Sequence, residues 1–563
     1  MKQLISVIVF LTVLGNITVK SQSYAHIDIK YHRFNLYFDP AVLYLKGSVS
    51  TYFKMVQGET LPVYFDLASS ITVDSVKSGN HKLVFSRNNH LLLIEPFTTQ
   101  WHNFDSVDMW VTCPQQYRTA GNGVVATDRI ENGNRIMLWK SRYPVAYYLI
   151  ALAVTNYKVY SEYYKLSETD SLEILNYVFP ESYDYALRST PNLKSTFMYF
   201  HDSILPYPFI KEKYGHAQFG WGGGMEHQTM SFMVNFSTDL MVHEASHQWF
   251  GNYITCKNWS EIWINEGFAV FCEGLAARKG YYDESYLQWK RDEIRHITSV
   301  SGGSVFVTDT SNVWQVFDGR LTYAKGGMIL HMLKHQLGDS VFFAALHNYV
   351  TDPDLAYGVA SVSDFVKHAE KAAGKSLTGF FNDWYYGQGF PIYTIDWWQN
   401  ESLNCSITIS QNTSHSSVDF FELKVPVQLI GENNAEITYT FNNEINNQTF
   451  IVNPGFKVNQ LIFDPKVTII SKGNRVVSKV PALKEVLITA NPNPVKTLTT
   501  INLPAKARFN DWQLFSESGH VVQQGLITKN AGQFSVNMEH LPSGIYILSI
   551  KSNSEYATIK LVK

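Results

Sequence analysis

The feature that most constrains the fold of this chain is a hydrophobic period that changes twice. From Tyr24 to about Glu162 apolar and polar residues alternate in short runs such as HIDIKYHRFNLYF, GSVSTYFKM, HLLLIEPF and SVDMWVTC, separated by Asn, Gly and Asp-Pro turns. A period of two buries one face of a strand, so residues 24–164 are expected to form an antiparallel sheet domain. Between about Lys165 and Gly389 helical spacing takes over, in DLMVHEASHQWF, YAKGGMILHMLKHQL and SVSDFVKHAEKAAG with its Ser361 start signal. This predicts a mostly helical domain over 165–390. The period of two returns in YTIDWW, CSITIS, LKVPVQLI and AEITYTF, giving a third domain, a β-sandwich, over 391–471. A polar, Lys-rich stretch, 472–485, reads as a linker. The short strands and turns of 486–563 read as a small immunoglobulin-like sandwich. The expected fold class is therefore multidomain α+β.

With 563 residues the chain is long enough for several cores, since single cores stop growing well before that size. Its 45% hydrophobic and 17% charged content separates it from disordered and collagen-like chains. A net charge of −3 without a Lys/Arg block gives no reason to expect nucleic acid as a partner.

At the N-terminus, Lys2 is followed by the apolar run LISVIVFLTVLGNI and then by polar residues to Ser23. This is the anatomy of a signal peptide over 1–23, the alternative being a buried N-terminal strand. No other segment is long and apolar enough for a membrane span, so none is expected after signal removal. Export implies an oxidising compartment. Yet Cys113, Cys256, Cys272 and Cys405 are too few and too far apart for a disulfide scaffold or a Cys-x-x-Cys metal site.

The chemistry concentrates in HEASH, His243 to His247, inside an apolar helical pattern. Two histidines four apart share one helix face, so both imidazoles can reach one ion at ~2 Å. Glu244 projects beside them, where it can polarise a metal-bound water without occupying a coordination position. Eighteen residues past His247, WINEGFAVFCEGL places Glu266 near the start of a second helix. Glu266 supplies a third ligand and leaves one position open, which is the catalytic rather than the structural arrangement for zinc. Cys272 reads as a packed core residue. Glu273, two turns beyond Glu266 on the same face, is either a hydrogen-bond acceptor for a ligand imidazole or a surface carboxylate.

Together GGMEH within Gly220–His227, HEASHQWFGN, WINEGFA and the downstream LTYAKGG resemble, in order and spacing, the aminopeptidase N and leukotriene A hydrolase family of zinc exopeptidases. The resemblance covers roughly 24–471. It implies a β-sandwich, a thermolysin-like zinc peptidase domain over 165–390 and a further small sandwich, with one Zn2+ held by His243, His247 and Glu266. It also implies that Glu226 binds the free α-amine of a peptide substrate, a carboxylate being a good partner for an ammonium. Gly223 and Gly224 either approach the substrate main chain closely or form a plain glycine turn. Tyr323 matches the family tyrosine that stabilises the oxyanion of the tetrahedral intermediate. The implied activity is that of a zinc aminopeptidase with Glu244 as general base. Two rivals are a zinc metalloendopeptidase and a non-catalytic peptide- or glycan-binding surface protein on the same fold.

The sequence departs from the family in three places. His227 stands where many relatives have Asn. A stretch with a substrate-binding Gln or Glu and a Pro-Cys run has no match between EPFTTQWHNF and DSVDMWV, and the large helical domain of long members is missing. The C-terminal module, with NPNP at Asn491–Pro494, ESGHVV, LPSGIYILSI and a basic tail, resembles type IX secretion sorting domains of Bacteroidetes. It implies recognition by secretion machinery and a secreted or cell-surface location after export to the periplasm. The alternative is a carbohydrate- or surface-binding sandwich.

Overall fold

The computed structural model describes residues 7–8, 27–55, 63–94, 106–280, 283–479, 484–504, 509–528, 531–552 and 555–563. The expected signal peptide lies outside the described residues except for Val7–Ile8, which pair antiparallel with Val154 and Ala153. The stretch 95–105, where the family segment has no match, also lies outside them.

The first β-rich region is built on a five-stranded sheet. Its strands follow the order Val124–Glu131, Asn134–Ser141, Ser106–Pro114, Ile27–Asp39, Tyr44–Met55. Its pairings are antiparallel except that of Ile27–Asp39 with Ser106–Pro114, which is parallel. The alternation read in SVDMWVTC is realised: Val107, Met109, Val111 and Cys113 are buried, and they join Phe34, Phe38, Trp139 and Tyr117 in one core. Arg118–Gly121 and Leu152–Thr155 form a second, antiparallel layer.

The boundary expected at 164 falls inside a strand. Lys158–Lys165 pairs over its whole length with Ser171–Val178 and so opens the sheet of the middle region. That sheet continues through Tyr214–Gln218 and Ser231–Met233 to the edge strand Gly224–Met225. All five residues of Tyr214–Gln218 are buried, so the strand carries no alternation for a sequence reading to detect. The helices that the helical spacing predicted stack outward from this sheet: Thr238–Ser246 packs on Ser231–Met233 and Gly224–Met225, Trp263–Gly280 packs on Thr238–Ser246, and Gly326–Leu337 packs on Trp263–Gly280.

The third region is a sandwich of a four-stranded and a three-stranded sheet. Pro391–Gln399 alternates buried and half-buried residues along its length. The region expected as a linker contributes here: Arg475–Ser478 runs parallel to Thr394–Trp397 as an edge strand. Side chains of this sandwich, such as Ile395, Ile407 and Val425, share one continuous core with Trp263, Phe268 and Leu333 of the helices. The C-terminal module is a separate two-sheet sandwich around Ile501, Leu514, Val536, Leu548 and Ile550, and Lys484–Glu485 already belongs to it. All four cysteines are buried and unpaired. Among the described residues no helix is long and apolar enough to cross a membrane.

Candidate active site

His243 lies in the last turn of helix Thr238–Ser246, and His247 continues that helix as its C-terminal cap. Glu266 sits in the first turn of Trp263–Gly280, which packs across it. Three donor atoms converge: His243 Nε2 and His247 Nε2 are 3.2 Å apart, and each is 3.3 Å from Glu266 Oε2. Ligands at about 2.0–2.1 Å around a tetrahedral ion are separated by about 3.3 Å, so the triad has the spacing of one tetrahedral face. The far nitrogens fix the rings. His247 Nδ1 donates to the Phe250 carbonyl at 3.0 Å, and His243 Nδ1 donates to Glu273 Oε1 at 2.6 Å. Both Nε2 atoms are thereby turned toward the common point. Of the two readings of Glu273, the geometry selects the hydrogen-bond acceptor.

The electrostatics favour positive charge at that point. Burial works against protonation of His247, but Glu266 and Glu226 raise it to about 9. Burial likewise opposes His243, which Glu266 and Glu273 nonetheless carry well above the histidine range. For Glu266 the opposing effect of burial is overcome by His247 and His243, which bring the carboxyl down to about 2. A buried place that stabilises a cation, lined by two imidazoles and a carboxylate with a fourth side open, fits zinc.

Glu226, Glu244 and His247 form a second group, with ligand-type atoms within 4.8 Å of one another. Burial pushes the Glu244 carboxyl up to about 8, against the pull of His243 and His247. A side chain at Gly224 would overlap the Glu244 carboxylate, and Gly223 has φ of +77°. These glycines are thus required by the protein's own packing and turn. Glu226 is 6% exposed, and its carbonyl accepts from Asn252 Nδ2 at 2.7 Å and Gln248 Nε2 at 3.4 Å. Both of these amides belong to HQWFGN, so the motif holds the Glu226 loop as well as the metal ligand. Sequence reasoning missed that role, although the residues lay inside a motif already singled out.

Three residues on, Thr229 is a buried β-branched residue at φ of +64°. Such a conformation costs about 1–3 kcal/mol and persists only where the surroundings fix it. Here its N–H donates to Gln248 Oε1 at 2.8 Å, its hydroxyl accepts from Gly123 N at 2.8 Å, and its carbonyl accepts from Lys213 Nζ at 2.7 Å. His227 is fully buried with its ring edge-to-face against Phe232 at 4.8 Å. Burial lowers its pKa to about 3, so it is a neutral ring in the loop.

Tyr323 arrives on a π-helix, Gly319–Lys325, which is capped by the Asp318 side chain on the N–H groups of Arg320 and Leu321. The π-turn is braced at its end, where Lys325 Nζ donates to the carbonyls of Gly303 and Gly387 at 3.2 and 3.3 Å. The Tyr323 ring stacks on His243 with centroids 5.9 Å apart and planes at 14°. Burial, followed by Glu266, Glu226 and Glu244, raises its pKa well above the phenol range, so its hydroxyl remains a donor. The structure therefore brings His243, Glu244, His247, Glu266, Glu226 and Tyr323 into one site.

Fold and donor set define a multidomain α+β chain with a buried two-histidine, one-carboxylate centre suited to a metal ion. Comparison with known proteins places it further: residues 225–384 match the Peptidase family M1 domain, and residues 489–563 match the Secretion system C-terminal sorting domain. The chain is 24% identical over 435 residues to Aminopeptidase A of Gloydius brevicauda, covering 71% of this chain and 43% of that protein. It is 24% identical over 390 residues to Glutamyl aminopeptidase of Bitis rhinoceros, covering 65% and 38%. The chain thus spans about two fifths of the length of these curated relatives. Among solved structures, the M1 zinc metallopeptidase from Deinococcus radiodurans superposes with a TM-score of 0.53 at 17% identity, over 64% of this chain and 94% of that one. Legionella pneumophila aminopeptidase A in complex with aspartic acid superposes with a TM-score of 0.65 at 14% identity, over 81% and 60%. These superpositions establish a shared fold.

Proposed function

We propose that this chain is a secreted zinc metallo-aminopeptidase that hydrolyses the first peptide bond of peptides with a free N-terminus, with one zinc per chain. The observation that carries this reading is the placement of a buried second carboxylate, Glu226, against Glu244 and His247 beside the donor triad. An endopeptidase has no use for a buried anion at that place, whereas a substrate ammonium pairs with it and brings the first carbonyl to the triad.

Zinc held by His243, His247 and Glu266 supplies Lewis acidity toward a water and the scissile carbonyl. Glu244, whose basicity burial raises above that of an ordinary carboxylate, takes the proton of the attacking water. It then returns that proton to the leaving amine. Tyr323, kept protonated, donates its hydroxyl hydrogen to the developing oxyanion. Glu226 holds the substrate amine throughout, and Gly224 leaves room for the Glu244 carboxylate. Export follows from the two ends of the chain: a signal peptide delivers it to the periplasm, and the C-terminal module is read by the secretion machinery.

The test uses the purified full chain and measures bound zinc together with fluorophore release from free-amine and N-acetylated aminoacyl substrates. Chelator-sensitive cleavage of the free-amine set alone is expected. Cleavage inside blocked peptides would replace this reading with the endopeptidase, and zinc without any cleavage would replace it with the binding protein.

A further inference from the structure

The loop that carries Glu226 is held from two sides. The peptidase side uses Gln248 and Asn252, as described. The other side belongs to the N-terminal β region, where one amide, Asn122, spends its hydrogen bonds on joining two segments. Its Nδ2 donates to the Gln228 carbonyl at 2.7 Å and to the Leu149 carbonyl at 2.9 Å, and its Oδ1 accepts from Ala151 N at 2.8 Å. The turn Tyr147–Leu149 is thereby fixed against the Glu226 loop.

On that turn Tyr148 is 7% exposed, with its ring edge-to-face on Trp259 at 5.6 Å. Its hydroxyl accepts from Asn265 Nδ2 at 3.0 Å. Asn265 is itself anchored, because its Oδ1 accepts from Cys256 N at 3.0 Å. With an amide donating to it, the Tyr148 oxygen must direct its own proton elsewhere. Burial, and after it the Glu226 charge, raises the pKa of this hydroxyl well above the phenol range, so the phenol keeps a proton to direct. A carboxylate has two oxygens and about four acceptor positions, so one oxygen can be occupied by a phenol while the other remains available to an ammonium.

We infer that Tyr148 is a positioning residue of the amine-binding site: its hydroxyl holds one oxygen of Glu226 so that the other faces the substrate's N-terminal ammonium. The inference rests on the aminopeptidase reading and makes the N-terminal β region a working part of substrate recognition. It also gives the Asn122 clamp a purpose, since a phenol that aims a carboxylate must itself be held in register with it. The interaction is charge-assisted and buried, so its loss weakens amine binding rather than the chemical step.

The experiment compares zinc-loaded wild type, Tyr148→Phe, Glu226→Ala and the double variant. Each is tested on a free-amine aminoacyl substrate and for inhibition by an amino acid amide and by its des-amino counterpart. Tyr148→Phe is expected to raise KM about tenfold with kcat nearly unchanged, corresponding to ~1.4 kcal/mol. It should weaken the amine-bearing inhibitor by the same factor and leave the des-amino compound alone. In the Glu226→Ala background the Phe substitution should add nothing. Wild-type KM in Tyr148→Phe, or an equal loss in both backgrounds, would overturn the inference while leaving Glu226 as amine anchor. Loss of zinc or a markedly lower melting temperature would also overturn it, making Tyr148 a structural support. If Glu226→Ala itself kept the free-amine preference, the aminopeptidase reading would fail and this inference with it.

Discussion

The two halves of the site are built in opposite ways. The metal half comes from one stretch of about thirty residues, where His243, His247, Glu266 and Glu273 sit on two crossing helices at helical spacings. The half proposed to hold the substrate amine is assembled across the chain. Glu226 lies on an edge loop whose geometry depends on Gln248 and Asn252 on one side and on Asn122, 106 residues before Gln228, on the other. Helical periodicity brings the proposed metal ligands together almost without help from the rest of the fold, whereas the loop of the proposed amine anchor is braced by Asn122 of the N-terminal β region. The first kind of site is rigid by local geometry and the second by long-range hydrogen bonds.

That contrast predicts separable failures. The largest loss should follow Glu244→Gln, with turnover falling about 10³-fold while zinc content stays at wild type, read by steady-state kinetics and metal analysis. Glu226→Ala should lower kcat/KM about 10²-fold and abolish the preference for free over acetylated amines, because a buried charge loses its partner. A zinc-depleted Glu226 variant would erase the distinction between the halves. Tyr323→Phe should lower kcat about 10²-fold with KM and zinc little changed, sharpening the assignment of this ring to the transition state. Glu273→Gln should weaken zinc about 10-fold, measured by competition with a chelator, and leave the free-amine preference intact. The smallest catalytic effect, a rise in KM for free-amine substrates below that of Tyr148→Phe, belongs to Asn122→Ala. It should cost about 1–3 kcal/mol in denaturant unfolding by leaving buried carbonyls unpaired, without loss of metal affinity.

What could be read from the sequence follows the same division. His243, His247 and Glu266 were legible because their spacing is itself the geometry, and Glu273 was legible as one of two alternatives until its 2.6 Å contact with His243 decided between them. Glu226 and Tyr323 required the resemblance of four linked motifs, since a lone glutamate in a glycine loop and a tyrosine in an apolar helix carry no spacing signal. Tyr148 was invisible: its role depends on where Asn265 and Glu226 meet it in space. The fold shows the same limit. Alternating strands such as Pro391–Gln399 were read correctly, but fully buried Tyr214–Gln218 was lost within a helical region. Arg475–Ser478 reads as part of a linker because its partner strand lies about eighty residues earlier.

The seven-residue π-helix Gly319–Lys325 carries a consequence for how this chain tolerates change in length. A π-turn holds one residue more than a turn of α-helix, so removing one residue between Asp318 and Tyr323 would let the segment relax to ordinary helical winding. Each residue of an α-helix advances about 100° around the axis. The register shift would swing the Tyr323 ring off the face of His243 while leaving Asp318 and Lys325 to seal the two ends as before. In this segment a deletion is therefore more damaging than most substitutions, because the number of residues, and not only their identity, aims the phenol at the site.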